Sequence, residues 1–164
     1  MISELAVAAA IASTTPCWLD RDDPRKPEQT ATIVRSVSHA ADTIKEAALL
    51  LTVIKFESNG CIAVHSGEHK GPGRGLYQLE GQAKRHDGPF VGLDYESTFN
   101  ATTVALKILR SSHQCGSKPE DILTAYAGRK CQTIWPTLKS RRAVFYHYNA
   151  VIWREVANEK RKAA

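Results

Sequence analysis

Residues 41–56 read ADTIKEAALLLTVIKF, and Glu57-Ser58 follow directly. Ala, Leu, Lys and Glu favour the helix, and nothing in the run breaks it before Ser58-Asn59-Gly60. Its apolar side chains occupy almost every side of the helical period, which describes a helix enclosed by other elements and not one lying on a surface. The run therefore predicts a buried helix at the centre of a mainly α domain.

Working outward, residues 59–75 (NGCIAVHSGEHKGPGRG) are rich in glycine and contain Pro72, a composition that opposes a long helix and suits a loop or short hairpin. Regular structure resumes near Leu76. Over residues 97–112, Ala101, Val104, Ala105 and Ile108 recur at helical spacing behind Ser97, an expected N-cap. Ser117-Lys118-Pro119-Glu120 has the pattern of a capping box opening a short helix through about Ala127, which Gly128 can end. Residues 137–161 predict a last helix with Val144, Tyr148, Val151 and Ile152 inward, while Lys160, Arg161 and Lys162 balance its dipole. Tyr146 and Trp153 are read as packing residues with Tyr148, and Tyr146 as within reach of a groove. Upstream, Thr14 to Gln29 carries three prolines and a cluster of charges and reads as a flexible connection between helices. Residues 5–12 (LAVAAAIA) read as a short amphipathic or buried helix. Only Glu4 precedes that run, where a secretory signal needs Lys or Arg, and the run is too short to span a bilayer.

The chain has 164 residues, 43% of them hydrophobic, enough for one core and one domain over residues 1–164. The formal charge of +5 favours a polyanionic partner, which charge alone does not identify as nucleic acid, anionic lipid or bacterial envelope. The Lys and Arg residues are scattered and no base-reading motif is present, which argues against a basic nucleic-acid-binding module. Cys17, Cys61, Cys115 and Cys131 are few for a disulfide scaffold and lack C-x-x-C spacing, so their redox state stays open. A zinc set of Cys61, His65, His69 and Cys115 would draw on the irregular glycine-rich region and is disfavoured. No metal or other cofactor is expected.

Glu57 lies four residues beyond Val53 and seven beyond Leu50, on their apolar face. Poor hydration and the negative end of the helix dipole both disfavour a charged carboxyl there, the condition a general acid needs. The alternative is an ordinary half-exposed glutamate closing a helix. Two further short motifs bear on the choice: Gly75-Leu76-Tyr77-Gln78 after the glycine-rich segment, and Ala125-Tyr126-Ala127-Gly128 at the end of a later helix.

In this order and spacing, over residues 43–128, the motifs resemble those of the soluble lytic transglycosylases and the related goose-type lysozymes of the lysozyme-like superfamily. That family carries Glu-Ser at the end of its central helix, then Gly-Leu-Met-Gln, then Ala-Tyr-Asn-x-Gly. Tyr77 departs from the pattern where the family has Met, and Ala127 where it has Asn. The resemblance implies a lysozyme-like α+β fold with its small hairpin or loop beside the cleft. It implies cleavage of the β-1,4 bond between N-acetylmuramic acid and N-acetylglucosamine in peptidoglycan, with Glu57 as general acid and base. A transglycosylase needs this one carboxyl and closes a 1,6-anhydro ring. A hydrolytic muramidase asks for a second carboxylate, for which Glu68 is the candidate. Ser58, Gly75, Tyr77, Gln78 and Tyr126 are the implied substrate-binding residues. Ser58 is alternatively a local cap, and either tyrosine is alternatively core. The implied partner is the peptidoglycan glycan strand, met by a monomer without nucleic acid or a transmembrane segment. The implied place of action is the periplasm or cell wall, reached by a phage holin, a virion or dedicated secretion. A wall-binding domain without activity is the other reading.

Overall fold

The computed structural model describes residues 2–17, 20, 22–65, 75–79, 97–131 and 133–163. These are mainly helical: α1 (Glu4–Ala12), α2 (Lys26–Ala40), α3 (Ile44–Glu57), α4 (Ile62–His65), α5 (Thr98–Ser111), α6 (Pro119–Tyr126) and α7 (Leu138–Ala163), with a 3-10 turn at Ser112–Cys115. Among the described residues there is no strand, and no helix is long and apolar enough to cross a membrane.

The central helix forms where the apolar run predicts it. Thr43 caps α3 by accepting from the Glu46 amide at 3.2 Å, and the Glu46 carboxylate reaches back to the Thr43 amide at 3.3 Å, a reciprocal capping box. Every residue from Ala47 to Ile54 is buried, because α2, α5, α6 and α7 all pack against this helix. α1 lies across α2 and α7, and one continuous apolar cluster joins these helices with Leu76, Tyr77 and Leu79. Beyond Glu57 the chain turns away through Asn59 and Gly60, both at positive φ, as a helix end requires.

Several expectations are met and others corrected. Ser97 caps α5 at the Asn100 amide, and Gly128, at φ +66°, ends the segment that follows α6. The capping box at Ser117 does not form. Lys118 is the N-cap without a side-chain bond, and Pro119, whose ring presets φ, starts the helix itself. The flexible connection is shorter than predicted, since α2 begins at Lys26 with Pro27 in its first turn, where a missing N–H costs nothing. Within that connection the buried Asp20 carboxylate accepts from Lys26 Nζ at 3.1 Å and from the Ile62 amide at 2.7 Å. On α7, Tyr148 is buried, but Tyr146 and Trp153 are 53% and 64% exposed and are not packing residues. Each falls next to an inward position and is thereby rotated about 100° off the buried face. After α3, Ile62–His65 forms a short helix, while the hairpin expected farther along the glycine-rich segment lies outside the described residues.

The cysteines form two disulfides, Cys17–Cys61 and Cys115–Cys131, with Cα separations of 5.3 and 5.0 Å. Cys61 and Cys115 are therefore not free to join a zinc set, and His69 lies outside the described residues.

Candidate active site

A cleft of about 440 Å³ opens where the C-terminus of α3, the turn at residues 75–78, the end of α6 and the start of α7 meet. Three separate stretches of sequence deliver Glu57, Tyr77 with Gln78, and Tyr126 to its wall. Those four residues were expected to act together, and they stand together.

Two other expected residues are not on the cleft wall. Ser58 is buried, with its hydroxyl donating to the Ile54 carbonyl at 3.2 Å and accepting from the Gly60 amide at 3.1 Å. It closes the helix locally, the alternative its position allowed. Gly75 sits at φ +66° and its carbonyl accepts from the Gln78 amide and side chain, so its part is to make the turn. Glu68 lies outside the described residues.

Tyr77 and Tyr126 form the floor. The Tyr77 ring is 1% exposed, and its hydroxyl pairs with Thr102 Oγ1 at 3.0 Å, on the core side, so it offers no hydroxyl to a ligand. Tyr126 donates its hydroxyl to the Tyr77 carbonyl at 3.3 Å. Burial foremost, then the neighbouring Tyr77 and the Glu57 charge, hold the Tyr126 hydroxyl well above the usual phenol range, so it remains a neutral donor. Gln78 takes φ +48° and donates Nε2 to the Gly75 carbonyl at 2.9 Å, which fixes its carboxamide while its oxygen has no partner among the described residues.

Sequence reading missed Arg141 and Trp135. Arg141, buried at the start of α7, donates Nη1 to Glu57 Oε1 at 2.8 Å. Its guanidinium lies 4.8 Å from the Trp135 ring centroid and 5.0 Å from that of Phe56, a cation held between two aromatic faces. Trp135 is oriented in turn by donating Nε1 to Thr124 Oγ1 at 3.2 Å. The carboxyl thus does not face the purely apolar surroundings its helix face predicts, because a fixed cation stands on one of its oxygens. A signal was present: Arg141 precedes Phe145 by four residues and Tyr148 by seven, a charged residue on the buried face of α7. Trp135, in an irregular segment, had no periodicity to mark it.

No family model, no curated protein and no solved structure matches the chain. The resemblance to the lytic transglycosylases rests on its three short motifs alone.

Proposed function

We propose that this chain cleaves peptidoglycan glycan strands between N-acetylmuramic acid and N-acetylglucosamine, as a lytic transglycosylase with Glu57 as its acid and base. The observation that carries the reading is the convergence of Glu57, Gln78 and Tyr126, from three distant motifs, on one cleft wall. Arg141 holds Oε1 of Glu57 and so fixes the carboxyl, while Oε2, which has no hydrogen bond among the described residues, is the oxygen placed to exchange a proton with the substrate. Protonated Glu57 gives its proton to the glycosidic oxygen as the bond to C1 breaks through an oxocarbenium-like state. The muramoyl C6 hydroxyl then attacks C1 and returns its proton to Glu57, closing the anhydro ring without consuming water. Gln78, whose carboxamide oxygen has no partner among the described residues, suits a sugar hydroxyl or acetamide N–H. The two disulfides fit an oxidising compartment, where peptidoglycan lies.

The test is digestion of purified peptidoglycan with mass analysis of the products. Anhydromuramoyl products, lighter than hydrolysed ones by one water, are expected, and Glu57→Gln should lose about 10²- to 10⁴-fold in rate. Reducing ends would replace the transglycosylase by a hydrolase and turn attention to Glu68. Undiminished cleavage by Glu57→Gln would remove the carboxyl from the mechanism altogether.

A further inference from the structure

The described wall of the cleft carries three charged side chains, Glu57, Arg129 and Arg141. Arg141 is spent on Glu57, so the wall holds one cation in excess. That cation is Arg129, which is exposed and has no acidic partner among the described residues. Unlike Arg141 it stands at the mouth of the cleft, with its guanidinium 5.9 Å from the Trp135 centroid, on the ring that Arg141 also contacts. Its backbone is pinned. The Arg129 amide donates to the Thr124 carbonyl at 3.1 Å, Gly128 turns the chain at φ +66°, and two residues on Cys131 is bonded to Cys115.

We infer that Arg129, seated against Trp135, is a subsite for a carboxylate that hangs from the glycan strand. This rests on the glycan-cleaving reading and names what the site selects. A guanidinium offers two parallel N–H donors that match a carboxylate, and an aromatic face beneath it limits the freedom lost on pairing. Along a peptidoglycan strand the neutral sugars repeat, and the pendant anions are the lactyl carboxylate of muramic acid, where bare, and the carboxylates of the peptide stem. Both sources present the same chemistry to Arg129. A ligand carboxylate there gains a charge-assisted bond, and a neutral amide in its place does not.

The experiment compares cleavage kinetics on intact strands, on strands with carboxylates converted to primary amides, and on strands stripped of stems by an amidase. For the wild-type protein kcat/KM should fall on the order of tenfold when the carboxylates are amidated, the value of one charge-assisted hydrogen bond. Arg129→Gln should cut intact and amidated strands alike, at the lower rate, and Arg129→Lys should recover part of the preference. Stripping removes the stem carboxylates and frees a lactyl carboxylate on each muramic acid. A wild-type rate kept or raised on stripped strands, and lowered there by Arg129→Gln, therefore assigns the lactyl carboxylate, and a wild-type rate that falls there to the amidated level assigns the stem. Full discrimination surviving in Arg129→Gln, or an equal loss on both substrates, would overturn the subsite. If the wild-type protein cuts no strand, the glycan-cleaving reading fails first and takes the subsite with it.

Discussion

A guanidinium clamped between two rings holds a carboxylate in one orientation with little entropy left to lose, and that is how Arg141 holds Glu57. The pair is only partly screened: the Arg141 side chain is 10% exposed and that of Glu57 23%. Replacing Arg141 by Met keeps an apolar stem against Phe56 and Trp135 but removes the bond to Oε1. We expect Arg141→Met to remain folded and to lose about 10²-fold in kcat, the cost of a misplaced reacting group, with KM little changed. Arg141→Lys, which keeps the charge without the planar stack, should fall between. Steady-state kinetics on soluble glycan strands would check this, and a wild-type kcat in Arg141→Met would show the pair to be structural. At this scale Glu57 and Gln78 were legible because each sits in a short motif with a structural context. The place of Arg141 on the buried face of α7 was a local signal, but its pairing with Glu57 was hidden, because the two lie 84 positions apart in sequence.

At the scale of the element, α3 was legible because an all-round apolar helix admits no surface placement. α2 was not, since KPEQTATIVRSVSHA mixes polar and apolar residues and buries Ser36 and Ser38 beside Ile33, Val34 and Val37. The N-terminus of α3 also carries a charge device. Arg110 on α5 donates Nε to Glu46 at 2.7 Å and Nη2 to Asp42 at 2.6 Å. The hydrogen bond from Arg110 foremost, and those from the Asp42 and Thr43 amides, hold the Glu46 carboxyl below its ordinary value of 4.5, against a smaller opposing effect of burial. A carboxyl with a depressed folded value stabilises the fold fully above its unfolded value and loses that contribution as pH falls through the folded one. Stability should therefore hold near neutrality and decline below pH 4.5 as Glu46 takes up a proton. Glu46→Gln should be less stable than the wild-type protein at pH 7, and the difference should shrink with acidification. Urea midpoints measured on both proteins across that range would check it; a gap independent of pH would mean that Glu46 acts through packing and not through charge.

For the whole molecule, the helices enclose one continuous apolar cluster, and the two disulfides tie down irregular segments that the cluster does not cover. Four cysteines allow three pairings, and nothing in their spacing chooses one, because pairing is set by distances that exist only after the helices pack. Cys17–Cys61 joins the stretch before α2 to the residue just beyond the turn that follows Glu57, across 44 residues of chain. Cys115–Cys131 closes a shorter loop of 16 and pins the segment that carries Arg129 and Trp135. On chain entropy, the first bond should stabilise the fold by roughly 4 kcal/mol and the second by roughly 3. Their functional weights should run the other way. A variant with Cys17 and Cys61 both replaced by Ser should lose more stability to denaturant yet, well below its melting temperature, retain most of its cleavage rate per folded molecule. A variant with Cys115 and Cys131 both replaced by Ser should lose less stability, but frees the Arg129–Trp135 segment, and Arg141 then loses the aromatic face that fixes it on Glu57. Its kcat/KM per folded molecule should fall about tenfold or more, on the scale of misplaced contacts in a reacting site. Urea titration and kinetics on the same two preparations separate these effects. An undiminished rate in the Cys115/Cys131 variant would mean that α7 and the turn after α6 hold Trp135 in place without the covalent tie.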